Sequence, residues 1–258
     1  MFRVLITLIM FFSLCTSGQA IEEKKMKVVF AQEFMPFSWK DDKGQIRGVL
    51  IDFLNEIIDK RMGIPLQFDV YPWARAQFMV KNGLSDAFFT IPNPKRKTYA
   101  EVSQIPFFTS DFILFTGAAN PKYKQLIKIK TLEELKQNND FRHIYILGGG
   151  WHEKNLAGVH YAKHVTNSTM ILKYLTNNVA DVYIEQSILV NYQIRLLNYQ
   201  SKIIEIPTVM DSTSWHLCIG KKSSFVNIMP EVNQLILRLK KEGTLEKIQS
   251  EIFNKYKP

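Results

Sequence analysis

Cysteine is nearly absent from this chain of 258 residues, which has only Cys15 and Cys218. If the segment before residue 21 is cleaved off, as its pattern suggests, Cys218 stands alone and no disulfide can form within one chain. Its neighbours Leu217 and Ile219 are apolar, so a buried, inert thiol is expected. Long apolar runs are also missing. No stretch after residue 14 is apolar for long enough to cross a bilayer, so a soluble mature chain is expected. There is no glycine-rich phosphate loop and no nucleophilic serine elbow, which removes the commonest nucleotide-hydrolase and serine-hydrolase signatures. There is no arginine-rich arm either. Lys and Arg outnumber Asp and Glu by 33 to 24, giving a formal net charge of +9, but they are spread along the chain. That distribution predicts a solvated basic surface and no nucleic-acid partner.

The N-terminus carries a clear pattern. Arg3 is the only charge in the first twenty residues, and residues 4–14 are apolar apart from Thr7 and Ser13. Gly18 and Ala20 occupy the third-last and last positions before a signal-peptidase cut, and a charged stretch, 22–27, follows. Residues 1–20 therefore read as a cleaved secretory signal, with a mature chain from Ile21. The alternatives are an uncleaved anchor and lipid modification of Cys15. Phe12, Ser13 and Leu14 lack the small residue usual just before a lipidated cysteine.

From Lys27 onward strands and helices alternate. Residues 27–31 form a β-rich run. In 49–62 the apolar Leu50, Phe53, Leu54, Ile57 and Ile58 share one helical face, and Gly63 and Pro65 stop the helix. Leu66, Phe68 and Val70 alternate with polar residues as in a half-buried strand. A helix over 73–82 and a buried strand over 87–91 follow. After Gly117 the pattern restarts: a short helix capped by Thr131, a strand over 143–147 and a helix over 151–163. A helix over 170–176, capped by Asn167 or Ser168, leads to a strand over 181–184, a helix over 188–197 and a strand over 203–206. The tail adds a strand over 215–220 and helices over 225–241 and 245–256, separated by Gly243. Such alternation implies parallel sheets with crossover helices. Residues 81–88 and 176–183 echo each other: in each, a helix ends in polar residues, an Asp follows (Asp86, Asp181) and an apolar strand begins.

Four landmarks occur in order. They are Met35-Pro36-Phe37-Ser38 with Gly44 and Gly48-Val49-Leu50-Ile51-Asp52; Gly83-Leu84-Ser85-Asp86-Ala87; Lys95-Arg96 with Ile105-Pro106-Phe107; and Leu239-Lys240-Lys241-Glu242-Gly243-Thr244-Leu245. In that order the chain resembles the amino-acid-type solute receptors of ABC transporters, the type II periplasmic solute-binding proteins of family 3. The run Tyr71-Pro72-Trp73-Ala74-Arg75-Ala76 is similar to one branch of that family. The resemblance implies an α/β, two-lobed type II fold, each lobe a mixed, mainly parallel sheet flanked by helices. One lobe would combine 21–116 with 212–258 and the other would be 117–211. Two crossing strands would form the hinge, and a small solute would bind in the cleft. It further implies a periplasmic monomer that delivers an amino-acid-like solute or carboxylate to a membrane permease or a sensor, without cofactor or catalysis.

Candidate site residues follow from the same match. Arg96 would grip a carboxylate, since a guanidinium fork donates two parallel hydrogen bonds; a solvated loop between Lys95 and Lys97 is the alternative. Phe34, Tyr71 and Trp73 would wall the solute, or else belong to the core. Thr90 ends a strand where the family places hydroxyls, although Phe88 and Phe89 replace its serine-rich run. Gly149, Gly150 and Trp151 open a helix whose start favours anions, with Trp151 as a bulky wall. Glu185, or Gln186 if the register shifts by one, would meet the solute's ammonium. His152, His160 and His164 invite a metal, but Leu156 breaks the His-Glu-x-x-His pattern and no metal is expected. The remaining alternative is an enzyme on the same fold, such as a cyclohexadienyl dehydratase, with Glu185 as its acid or base.

Overall fold

The computed structural model describes residues 24–32, 34–146, 150–159, 162–165 and 168–256. The expected signal segment, Gly148, Gly149, His160 and Asn167 lie outside them. The strands are β1 (Met26–Ala31), β2 (Trp39–Lys40), β3 (Ile46–Arg47), β4 (Leu66–Tyr71), β5 (Ala87–Thr90), β6 (Ala100–Val102), β7 (Phe108–Gly117), β8 (His143–Ile146), β9 (Ala162–Val165), β10 (Val182–Gln186) and β11 (Ile203–Gly220). The α-helices are α1 (Val49–Leu54), α2 (Lys60–Met62), α3 (Trp73–Asn82), α4 (Pro94–Lys97), α5 (Tyr123–Leu126), α6 (Leu132–Gln137), α7 (Gly150–Asn155), α8 (Ser168–Thr176), α9 (Ser187–Leu196), α10 (Met229–Lys241) and α11 (Thr244–Tyr256).

Nine strands join in the order β4-β1-β5-β11-β7-β10-β8-β9, with β6 beside β11. Pairing is parallel on both flanks, β4-β1-β5 and β10-β8-β9, and antiparallel in the middle. The crossover strand β11 pairs with β7 from Ile203↔Gly117 to Trp215↔Phe108, then with β5 from His216↔Thr90 to Ile219↔Ala87. The register slips between Ile206 and Val209 and again between Val209 and Asp211. Side-chain alternation sorts the core. On the β1/β5 side, Val29, Phe88, Ala100 and Cys218 pack with Ala76 and Val80 of α3. The opposite face, including Val28, Phe30, Ala87 and Phe89, packs under α1, α10 and α11. On the β10 side, Phe112, Leu114, Val182 and Ile184 meet Leu135 and Leu156. Ile113, Phe115 and Tyr183 share the other core with Leu172, Leu175 and Val190.

The echo between 81–88 and 176–183 marks one corner built twice. Gly83 and Asn178, at matching positions, both take a left-handed backbone, with φ 74° and 54°. Asp86 N donates to Lys27 O at 2.9 Å and Asp181 N to Arg142 O at 2.8 Å. In return Lys27 N donates to Asp86 Oδ2 at 2.8 Å and Arg142 N to Asp181 Oδ2 at 2.9 Å. Each Asp thus anchors the strand start beside it.

Several elements differ from expectation. The helix expected over 151–163 ends at Asn155: Gly158 turns left-handed at φ 78°, and the chain resumes as β9. His164 therefore sits on a strand and not on a helix. The helix over 49–62 passes through a π turn, Asn55–Asp59, before Gly63 closes it at φ 68°. The helix over 225–241 starts later, at Met229, because Pro230 suits only a first turn; a 3₁₀ turn, Ser224–Ile228, precedes it. The strands expected over 203–206 and 215–220 are one continuous strand. No described helix is long and apolar enough to cross a membrane.

Candidate functional site

In open α/β sheets, ligands bind beyond the carboxyl ends of parallel strands. On one flank those ends lead to Phe34 after β1, Trp73 after β4 and Arg96 after β5. On the other they lead to Trp151 after β8 and to the end of β10 at Glu185 and Gln186. The expected residues form two groups, and no ring contact or hydrogen bond joins them among the described residues.

The first group centres on Arg96. Asn93 caps the short α4 and accepts from Arg96 N at 2.8 Å. The guanidinium folds inward: Nε donates to Gln77 Oε1 at 3.2 Å, Nη1 donates to Ile91 O at 2.5 Å, and Cζ lies 5.1 Å from the centre of the Trp73 ring. Trp73 is held edge-on to Phe88 at 5.6 Å. Arg96 is half-buried, whereas Lys95 and Lys97 are exposed. Burial lowers its pKa, opposed by Tyr99 and Cys218. Among the described residues it has no carboxylate within ion-pair distance, an unusual state for a partly desolvated charge. Tyr71 stands apart from it, with Arg75 over its ring at 4.9 Å. Thr90 is buried and paired with His216.

Phe34 begins an aromatic column. It stacks on Phe37 at 5.0 Å, Phe37 on Trp215 at 4.8 Å, Trp215 on Phe108 at 5.6 Å and Phe108 on Phe53 at 4.7 Å. Such contacts are worth about 0.5–1.5 kcal/mol each beyond area burial, so the column fixes this end of the crossover strands rigidly. The buried Trp215 Nε1 has no partner among the described residues.

The second group centres on Trp151. Its ring stacks on Phe112 at 4.3 Å and 13°, and Nε1 donates to Asp211 Oδ2 at 2.5 Å. Gly150 opens the six-residue α7, directly before Trp151. Glu185 is only 7% exposed. Its Oε2 accepts from Tyr183 OH at 3.1 Å and lies 3.7 Å from His152 Nε2; its Oε1 accepts from Gln186 N at 2.8 Å. Burial raises its pKa, against the pull of His152, Gln186 N and Tyr183. His152 lies between the Tyr145 and Tyr183 rings and bonds Ile184 O at 2.7 Å. Gln186, the alternative to Glu185, accepts from Ser110 on β7. Among the described residues no cluster of His, Cys, Asp and Glu could hold a metal. Cys218 is buried, and burial pushes its thiol up to about 12.

Sequence reasoning missed Gln77, Phe112, Trp215 and Asp211. Trp215 lay at the start of the strand expected over 215–220. Asp211 sits in the polar run Asp211-Ser212-Thr213, between the strands expected over 203–206 and 215–220. A cavity of about 460 Å³ does lie where β7, α9 and α11 meet, lined by Ser110, Asp111, Asn191, Glu205 and Tyr256, but it includes none of the expected residues.

Residues 26–255 match the family of bacterial extracellular solute-binding proteins, family 3. The chain belongs to that family. It is similar to a probable histidine-binding protein of Neisseria gonorrhoeae, 25% identical over 238 residues, covering 90% of this chain and 84% of the relative. Among solved structures, the binding component of an ABC transporter from Wolinella succinogenes complexed with lysine aligns with TM-score 0.68 and 17% identity, covering 89% of this chain and 95% of the other. An ancestral cationic amino acid solute-binding protein aligns with TM-score 0.67 and 22% identity, over 89% and 95% of the two chains. At these identities the structural likeness speaks for the fold: this family-3 protein has the two-lobed, type II α/β architecture. Its role is therefore binding of a small-molecule solute.

Proposed function

We propose that this family-3 protein captures an amino-acid-type solute through its carboxylate at Arg96 and delivers it to a membrane permease. The observation that carries this reading is the guanidinium itself: half-buried, fixed by Gln77, Ile91 O and Trp73, and without a carboxylate partner among the described residues. A charge that is partly desolvated and preorganised in this way is made good by an incoming anion. Export after cleavage at Ala20 suits such a role. Residues 21–116 with 212–258 would form one lobe and 117–211 the other; the switch of β11 from β7 to β5 at Trp215 and His216 supports that division.

Capture requires no chemistry, and Glu185, the one residue considered as an acid or base, has both oxygens engaged by neighbours. Binding without turnover of prephenate or arogenate is expected. A thermal-shift screen of the purified mature protein with the twenty amino acids, polyamines and small carboxylates tests the proposal. A specific carboxylate-bearing ligand should raise Tm by mass action in the unsubstituted protein and much less in Arg96→Ala. Equal shifts in both proteins would refute it.

A further inference from the structure

Trp151 and Asp211 are held as one unit within the second group, beyond the carboxyl end of β8. The indole is covered on one face by Phe112, 4.3 Å away and nearly coplanar, meets the His152 ring edge-on at 5.3 Å, and remains partly exposed. Its N–H is tied to Asp211 Oδ2 at 2.5 Å, and Asp211 Oδ1 accepts from Ser212 N at 2.8 Å. A carboxylate has about four acceptor positions, so two are left over. Asp211 is exposed and, in a chain with net charge +9, has no Lys or Arg within ion-pair distance among the described residues. The two slips of register in β11, the second between Val209 and Asp211, set this carboxylate opposite Phe112 and under the indole edge. An electron-rich ring locked beside an unbalanced carboxylate is an arrangement that attracts a cation, and Trp is the strongest ring for it. It complements the Trp73–Arg96 pair, where the ring already carries its cation and an anion is lacking.

We propose that the open face of Trp151 with the Asp211 carboxylate seats a positively charged group of the solute, an ammonium, guanidinium or imidazolium. Glu185, buried against Tyr183 and His152, does not take this part. Resting on the Arg96 reading, the inference narrows the solute to an amino acid with a cationic side chain.

The test is titration calorimetry of the purified mature protein with L-arginine, L-lysine, L-histidine and L-glutamine, using Asp211→Asn, Trp151→Phe and Arg96→Ala. Asp211→Asn keeps an acceptor for Trp151 Nε1 and removes only the charge. It should weaken binding of the cationic solute by about tenfold to a hundredfold, the range for a lost charge-assisted bond, while L-glutamine changes little. Trp151→Phe keeps the stack on Phe112 and loses the tie to Asp211, so it should show the same selectivity with a smaller loss; it also reads the seat should Asp211→Asn not fold. Unchanged affinity for all three cationic amino acids in Asp211→Asn, with binding lost in Arg96→Ala, would overturn this inference and leave the carboxylate anchor standing. Binding undiminished in Arg96→Ala would overturn both.

Discussion

Replacing Asp181 by Asn isolates the charge network that pins the start of β8. Asp181 is wholly buried, with 0% of its side chain exposed. Its carboxylate accepts from Arg142 N and Nε at 2.9 Å each, from Arg142 Nη2 at 2.7 Å and from Lys122 Nζ at 3.0 Å. Burial pushes its pKa up, but these donors outweigh burial and hold it at about 2, below the ordinary 3.8. A carboxyl with a lowered folded pKa adds stability at pH values above the ordinary one, and that stability is lost as pH falls from about 3.8 towards 2. At about 1.4 kcal/mol per unit the network contributes about 2.5 kcal/mol at neutral pH. Asn keeps the volume but turns an amide N–H₂ towards cationic donors. Arg142 and Lys122 still reach water, at 40% and 29% exposure. The cost should therefore be about 2–3 kcal/mol, below the 3–5 typical of a sealed pair. Urea unfolding followed by tryptophan fluorescence from pH 7 down to pH 2 measures it. The gap between the two proteins should shrink towards zero at the acid end. A gap that stays constant across that range would refute the charge argument and leave only packing.

Gly48→Ala should destabilise by more than about 3 kcal/mol, because Gly48 has φ 139° and a Cβ there would lie 2.1 Å from Phe37 O; Gly63→Ala, where that atom meets nothing, should cost only about 1 kcal/mol. Urea midpoints for the two variants check this. Glu185→Gln should gain stability relative to the parent as pH rises, since a carboxyl with a raised folded pKa stabilises when neutral and loses that contribution on ionising. Thermal unfolding at pH 4 and pH 8 decides it, and a growing deficit for Gln at the higher pH would show that the hydrogen bonds to the Glu185 carboxylate outweigh burial. Cys218, buried with its thiol pushed up to about 12, should fail to react with a thiol-specific disulfide reagent until the protein unfolds.

The parts of the fold that were legible are those encoded locally. The 3.6-residue spacing in 49–62, the alternation in Leu66–Tyr71 and the paired αL corners at Gly83 and Asn178 each depend on neighbours in sequence. The long strands β7 and β11 were only partly legible. Their pairing joins residues about a hundred positions apart, and positions such as Asp111, Asp211 and Ser212 are exposed along them, which interrupts the apolar pattern. Ala162 and Lys163 were absorbed into the helix expected over 151–163 because the four residues of β9 are too few to carry a clear periodicity. Arg96 was legible only through its place among the landmarks; nothing local sets it apart from Lys95 and Lys97. Asp211 had no such landmark, and its link to Trp151, sixty residues earlier, exists only in the folded chain.

The central claim is that Arg96 anchors a solute carboxylate. Titration calorimetry with the tightest ligand from the amino-acid screen tests it most directly. Arg96→Ala should weaken binding about thirtyfold to several thousandfold, because it strands an anion in a partly closed cleft. Arg96→Lys should recover only part of the loss, since an ammonium cannot present a planar fork, and Lys95→Ala and Lys97→Ala should change affinity far less. Small and equal losses at positions 95, 96 and 97 would contradict the account, because Arg96 would then be one more surface charge.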